Sequence, residues 1–132
     1  MQKTRVGFKT QLRGSFDEVV ERTRHALREE GFGILNEVDI KATLKEKLAV
    51  DFRKYLILGT CNPSLAHEAL SKNLEIGLLL PCNVTVWEGE GGQIVVSAVD
   101  PQTLISLAES DEGLRKIAQT ASEKLERALS TL

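Results

Sequence analysis

The segment Tyr55-Leu-Ile-Leu-Gly-Thr-Cys61 constrains this chain more than any other stretch, because it is nearly all apolar and runs straight into Asn62-Pro63. It is too short for a buried helix and lacks the alternation of a half-exposed strand. Such a run is expected in the interior of a sheet, covered on both faces. Gly59 inside it marks a bulge or the close approach of another backbone. Asn62 is a preferred N-cap and Pro63 fits the first helical position, where its missing N–H costs nothing. The strand therefore hands over directly to a helix, with Leu65, Ala66, Ala69 and Leu70 on its buried stripe. Further along, Pro81-Cys82-Asn83 opens a second strand with the same three residue types in rotated order.

The flanking elements follow from periodicity. Residues 4–12 alternate around Val6, Phe8 and Leu12, as a first strand would. Ser15 and Glu18 form a capping box ahead of a helix carrying Phe16, Val19, Val20, Thr23 and Leu27, and Gly31 is the natural residue to end it. Residues 32–40 read as a second strand. Residues 41–50 read as a short helix with Lys41, Lys45 and Lys47 on one face. That face, with Arg53 and Lys54, is either an anion-binding patch or a solvated surface balanced by Glu46 and Asp51; the second is the simpler reading. Residues 74–80 suggest a brief helical turn. Residues 82–87 and 93–99 form a hairpin around Glu88-Gly-Glu-Gly-Gly92. Alternation puts Cys82, Val84 and Val86 on one face and Asn83, Thr85 and Trp87 on the other. Asp100-Pro101 starts a short helical turn. Ser110 or Asp111 opens a last helix whose Leu114, Ile117, Ala118, Ala121, Leu125, Ala128 and Leu129 form one apolar stripe, a lid for one sheet face.

The expected fold is one α+β domain spanning residues 1–132. Its sheet is mixed, mainly antiparallel and of about five strands, with helices packed chiefly on one face. An uncovered sheet face or an exposed edge strand would then be buried in a homodimer. A formal charge of -2 with both signs interspersed gives no case for nucleic acid or an anionic membrane as partner. The amino-terminal residues lack a signal-peptide core, and no apolar run approaches the ~20 residues that span a bilayer. Two cysteines do not make a disulfide framework. The expected setting is cytoplasmic, with reduced thiols.

The candidate chemistry gathers at the two related tripeptides. Cys61 precedes a helix N-terminus, where unpaired N–H groups and the dipole would lower its pKa and make it a nucleophile, a redox sensor or a metal ligand. Against this, free cysteine often acts as a small buried hydrophobe. If the two strands are neighbours, Cys82 joins Cys61 at one rim of the sheet, and His67 on the following helix could complete a metal site. The closely spaced ligand pairs of recognisable zinc sites are absent. Asn62 and Asn83 would add donors and acceptors suited to a neutral small molecule, although Asn62 is also the helix cap. No phosphate cradle or nucleophile elbow is present. Glu37, Asp39 and Asp100 are acids at strand ends with nothing to pair them into a dyad, and Tyr55 and Trp87 could line a pocket or pack in the core.

Three ordered segments, Phe32-Gly-Ile-Leu-x-Glu-Val-Asp39, Tyr55-Leu-Ile-Leu-Gly-x-Cys-Asn-Pro63 and Glu75-Ile-Gly-Leu-Leu-Leu-Pro-Cys-Asn-Val84, resemble the bacterial and archaeal family called domain of unknown function 302. The resemblance covers most of the chain. It implies a compact α+β domain that forms homodimers and has no established activity. Family members often carry glycine where Cys61 stands and lack a counterpart of Cys82, so chemistry resting on the thiols would belong to a branch. Three functional readings follow: a small molecule or metal ion bound at the Cys61/Cys82 rim, a thiol-based redox enzyme or sensor, or a homodimeric interaction module.

Overall fold

The computed structural model describes residues 1–108 and 111–132. Its strands are β1 (Gln2–Lys3), β2 (Gly7–Leu12), β3 (Gly33–Asp39), β4 (Tyr55–Cys61), β5 (Cys82–Glu88) and β6 (Ile94–Val99). The helices are α1 (Phe16–Glu29), α2 (Ile40–Leu48), α3 (Pro63–Lys72), α4 (Pro101–Ile105) and α5 (Glu112–Ser130), and a 3-10 turn spans Leu74–Leu79. The strands form one sheet in the order β1-β2-β6-β5-β4-β3. Every pairing in it is antiparallel, where a mixed sheet was expected. The strand beyond the expected five is β1. The Thr4 hydroxyl accepts the N–H groups of Val6 and Gly7, turning the chain so that the run expected over residues 4–12 begins only at Gly7 and Gln2–Lys3 folds back on it as a separate strand.

The caps behave as their residue types dictate. The side chains of Ser15, Asn62 and Asp111 accept the N–H groups of Glu18, Leu65 and Leu114, opening α1, α3 and α5. The other expected start for α5, Ser110, lies outside the described residues. At the end of α1, Gly31 adopts φ +85°, and Phe32 N–H reaches back to the Leu27 carbonyl at 2.9 Å. This left-handed closure suits glycine and drops the Phe32 ring into the core. Asp39 and Asp100 are caps as well, accepting from Ala42 and Gln102, and Glu37 pairs with Arg24. These strand-end acids therefore have structural partners.

The helices pack on one face of the sheet. Val84 and Val86 of β5 point into that side and are fully buried, whereas Asn83 is exposed and Thr85 and Trp87 are half-buried on the other. β4 is central in pairing, but its Tyr55 and Ile57 keep partial exposure on the open face. The run is continuous because the residues β4 itself gives to that face are apolar, not because helices cover it. Gly59 stands opposite Asn36, where β3 bulges between Ile34 and Asn36, and a Cβ at Gly59 would collide with the Asn36 side chain. On β3 to β6 the open face carries Asn36, Val38, Tyr55, Ile57, Asn83, Thr85, Trp87, Val95, Ser97 and Val99, none of them charged. Tyr55 and Trp87 stack there with ring centroids 5.4 Å apart, and Phe52 tilts against Tyr55 at 6.4 Å.

The buried residues form two clusters. The larger lies between α1, α5 and the middle of the sheet. The smaller, built on Ala69, Ile76, Ile105, Leu114 and Ala118, lies where α3, the 3-10 turn, α4 and the first half of α5 meet.

Candidate functional site

Thr60 on β4 pairs with Cys82 on β5, and Cys61, one residue further, closes β4 opposite Gly33. The two related tripeptides thus meet at one corner of the sheet. The Thr60 hydroxyl donates to the Cys82 carbonyl at 2.9 Å, tying the corner together. Asn62 then caps α3 and also donates to the Glu30 carbonyl at 3.4 Å, which anchors the start of α3 to the end of α1.

α3, the 3-10 turn, α4 and α5 close over this corner without filling it. They leave a chamber of about 60 Å³ whose walls include Thr60, Cys61, Asn62 and Cys82 together with leucine, isoleucine and alanine side chains. Ala66 and Ala69 come from α3, Ile76 and Leu79 from the turn, Leu104 and Ile105 from α4, and Leu114, Ile117, Ala118 and Ala121 from α5. The contributions of α4 and α5 were not foreseen as site residues. The signal available was the set of alanines on the α5 stripe, which lower the bulk that one helix presents to its neighbours.

Three of the four expected ligand-binding residues, Cys61, Asn62 and Cys82, line the chamber. Asn83 does not. Strand alternation turns it to the open face, where it is exposed on the side away from Cys82. The Cys61/Cys82/His67 metal set is not assembled either. His67 is exposed on α3, whose inner face is given to Ala66 and Ala69, and among the described residues no three His, Cys, Asp or Glu side chains cluster to hold a metal ion.

The electrostatics run opposite to the expectation of an activated thiolate. Burial pushes the Cys61 thiol above its ordinary value. Cys82 is pushed up to about 11, mainly by burial and secondarily by the proximity of Cys61. Cys61 stands on the strand side of the cap, Asn62 already takes the Leu65 N–H, and Pro63 has no N–H to offer, so little of the helix terminus is left for a thiolate. Both thiols are protonated at neutral pH, which suits an uncharged occupant and not nucleophilic attack.

Elsewhere the chemistry is structural. The Lys41 ammonium donates to the Phe52 carbonyl at 2.6 Å, Lys45 pairs with Asp51 at 3.2 Å and Arg53 donates to the Glu88 carbonyl at 3.0 Å, so the basic residues around α2 brace the loop into β4. Tyr55 and Trp87 lie on the open face, apart from the chamber walls. No helix is long and apolar enough to cross a membrane among the described residues.

Comparison with known proteins gives the same fold. The family model described as "Domain of unknown function DUF302" matches residues 8–132. A crystal structure titled as the uncharacterized conserved protein DUF302 from Bacillus stearothermophilus superposes with a TM-score of 0.86 at 30% sequence identity, covering 95% of this chain and 96% of that one. No curated protein matches.

Proposed function

Because the chain belongs to the DUF302 family, whose function is unknown, we propose a role read from the chamber: the protein binds an uncharged small molecule at the Cys61/Cys82 corner. One observation carries this reading. A fold that packs its main core closely leaves a hollow about 60 Å³ in size whose walls include both cysteines. Side chains in interiors normally interdigitate with few voids larger than a water, and a larger void forfeits dispersion contacts along its whole lining. An occupant would restore them. Cys61 and Cys82 would supply weak, polarisable contacts at the inner end. In this reading the thiol pair marks a branch of the family with its own ligand. Native mass spectrometry of the purified full chain tests it. A bound small molecule is expected, and Ala118→Leu, which fills the chamber, removes it. Bare protein in both forms, with no change in melting temperature when small neutral compounds are added, would contradict the reading.

A second observation favours homodimer formation through the open face. A two-fold interface sets one patch against a second copy of itself, so the patch must be self-complementary, which an uncharged and largely apolar surface achieves without any pairing of charges. Over β3 to β6 that surface carries no charge and offers Val38, Ile57, Tyr55 and Trp87 for burial. Size-exclusion chromatography with light scattering is expected to give twice the chain mass, and Thr85→Glu to give one chain mass with the fold retained. A wild-type monomer at high concentration would remove this reading. We place the protein in the cytoplasm, where both thiols would stay reduced.

A further inference from the structure

The walls of the chamber specify what can enter it. Thr60 has spent its hydroxyl proton on the Cys82 carbonyl. Asn62 accepts from Leu65 and donates to Glu30. Apart from the two thiols, the remaining wall is aliphatic or aromatic carbon with one proline. A polar ligand would lose its hydration here and find almost no partner, a penalty incurred by each unpaired group. A hydrocarbon pays no such penalty. At about 60 Å³ the chamber has room for roughly four to six water-sized groups, enough for the end of a chain but not for a long one.

The surface beside the chamber is also unusual. Leu74 and Leu78 are 85% and 82% exposed, and they sit on the same 3-10 turn that sends Ile76 and Leu79 into the walls. Leu107, 76% exposed, follows α4, which supplies Leu104 and Ile105. α4 packs on the turn, and Leu104 and Leu78 share a shallow surface hollow. Single exposed leucines are ordinary, but three on or just after the elements that enclose one apolar chamber put unpaired apolar surface on the outside of those same elements.

From this juxtaposition we infer that the ligand is a hydrocarbon chain longer than the chamber, its end seated between α3 and α5 and its remainder laid along Leu74, Leu78 and Leu107. The inference rests on the small-molecule reading above and names the ligand class. Binding is non-covalent, driven by removal of chain and leucine surface from water.

A chain-length series tests it. Butanol, hexanol, octanol and decanol are titrated calorimetrically into the full-length protein, into Ala118→Leu, and into a triple variant Leu74→Gln/Leu78→Gln/Leu107→Gln. The triple variant alters only exposed positions and keeps the fold, which circular dichroism checks. In the wild type, affinity is expected to rise about fourfold per methylene through decanol, and in the triple variant to rise to hexanol and then flatten. A wild-type series that flattens beyond hexanol overturns the chain inference and leaves small-molecule binding standing. A triple variant with the wild-type slope overturns the role of the leucines and with it the inference. Failure of every alcohol to bind, while a polar molecule co-purifies and is lost in Ala118→Leu, overturns the hydrocarbon class alone. Failure of every alcohol with bare protein throughout overturns both.

Discussion

The two buried clusters are made from the same residue types and share a helix, yet they are packed differently. In the larger one Val19, Leu27, Leu58, Val84, Val86, Val96 and Leu125 have no exposed surface at all. In the smaller one no member is sealed to that degree, and two of its five buried residues are alanines. α5 runs through both, giving Leu125, Ala128 and Leu129 to the first and Leu114 and Ala118 to the second. The difference lies in what meets the helix. Beside its second half, α1 and the sheet press large side chains into every gap. Beside its first half, α3 presents Ala66 and Ala69 next to Leu65, less bulk meets the helix, and a chamber remains. One region spends its apolar surface on stability; the other keeps some of it available.

The sharpest way to break this contrast is to hollow the sealed cluster. Leu125→Ala is expected to lose about 2–5 kcal/mol of stability, because a close-packed site relaxes only partly around a new cavity. Urea denaturation measures this, and a loss below about 1 kcal/mol would show that the larger cluster is not tightly packed.

Cys82 stands at the border, a member of the sealed cluster and part of the chamber wall. Its thiol titrates near 9.0 unfolded and at about 11 folded. Below pH 9 both states hold the proton and stability is unaffected; as the pH rises to about 11 the unfolded chain ionises first, and stability falls by about 2–3 kcal/mol. Cys82→Ala is expected to remove that part of the alkaline loss, as denaturation at pH 8 and pH 11 would show. Equal alkaline losses in variant and wild type would mean that the thiol is not held in its buried environment.

Adding bulk is the complementary test. Ala128→Leu, in the sealed cluster, is expected to cost about 1–3 kcal/mol, whereas Ala118→Leu, on the chamber wall, changes stability by less than about 1 kcal/mol. Equal penalties would erase the distinction between the clusters. The smallest effect belongs to the ion pair that clips α1 to the edge strand β3. Arg24 holds the Glu37 carboxyl below its ordinary value, but Glu37 is 40% exposed and well screened. Glu37→Gln is expected to cost less than about 1 kcal/mol at neutral pH. Because the folded value is the lower one, the contribution is fully present above the unfolded value of 4.5 and is lost as the pH falls from there through the lower folded value.

Much of this was legible in the chain. Ser15, Gly31, Asn62 and Asp111 end or begin helices through bonds made within a few residues, so short segments carry their positions. The rotated tripeptides announced that Cys61 and Cys82 belong to related corners, and the pairing of Thr60 with Cys82 brings them together. Alternation along β5 already separated Asn83 from Cys82, so a site including both conflicted with a rule available in the sequence. The chamber was not legible. An alanine on an apolar stripe reads the same whether a neighbour fills the space above it or not, and only the meeting of α3, α4 and α5 decides. The direction of the Cys61 shift was hidden for the same reason, since the burial that sets it comes from residues far along the chain.

Xenon binding probes the hollow itself. In a crystal of the wild-type protein pressurised with xenon, the account predicts an ordered xenon peak between Ala66, Ala118 and Cys82, none in the cluster around Leu125, and loss of the peak in Ala118→Leu. A chamber that takes no xenon, or one holding waters hydrogen-bonded to its walls, would contradict it.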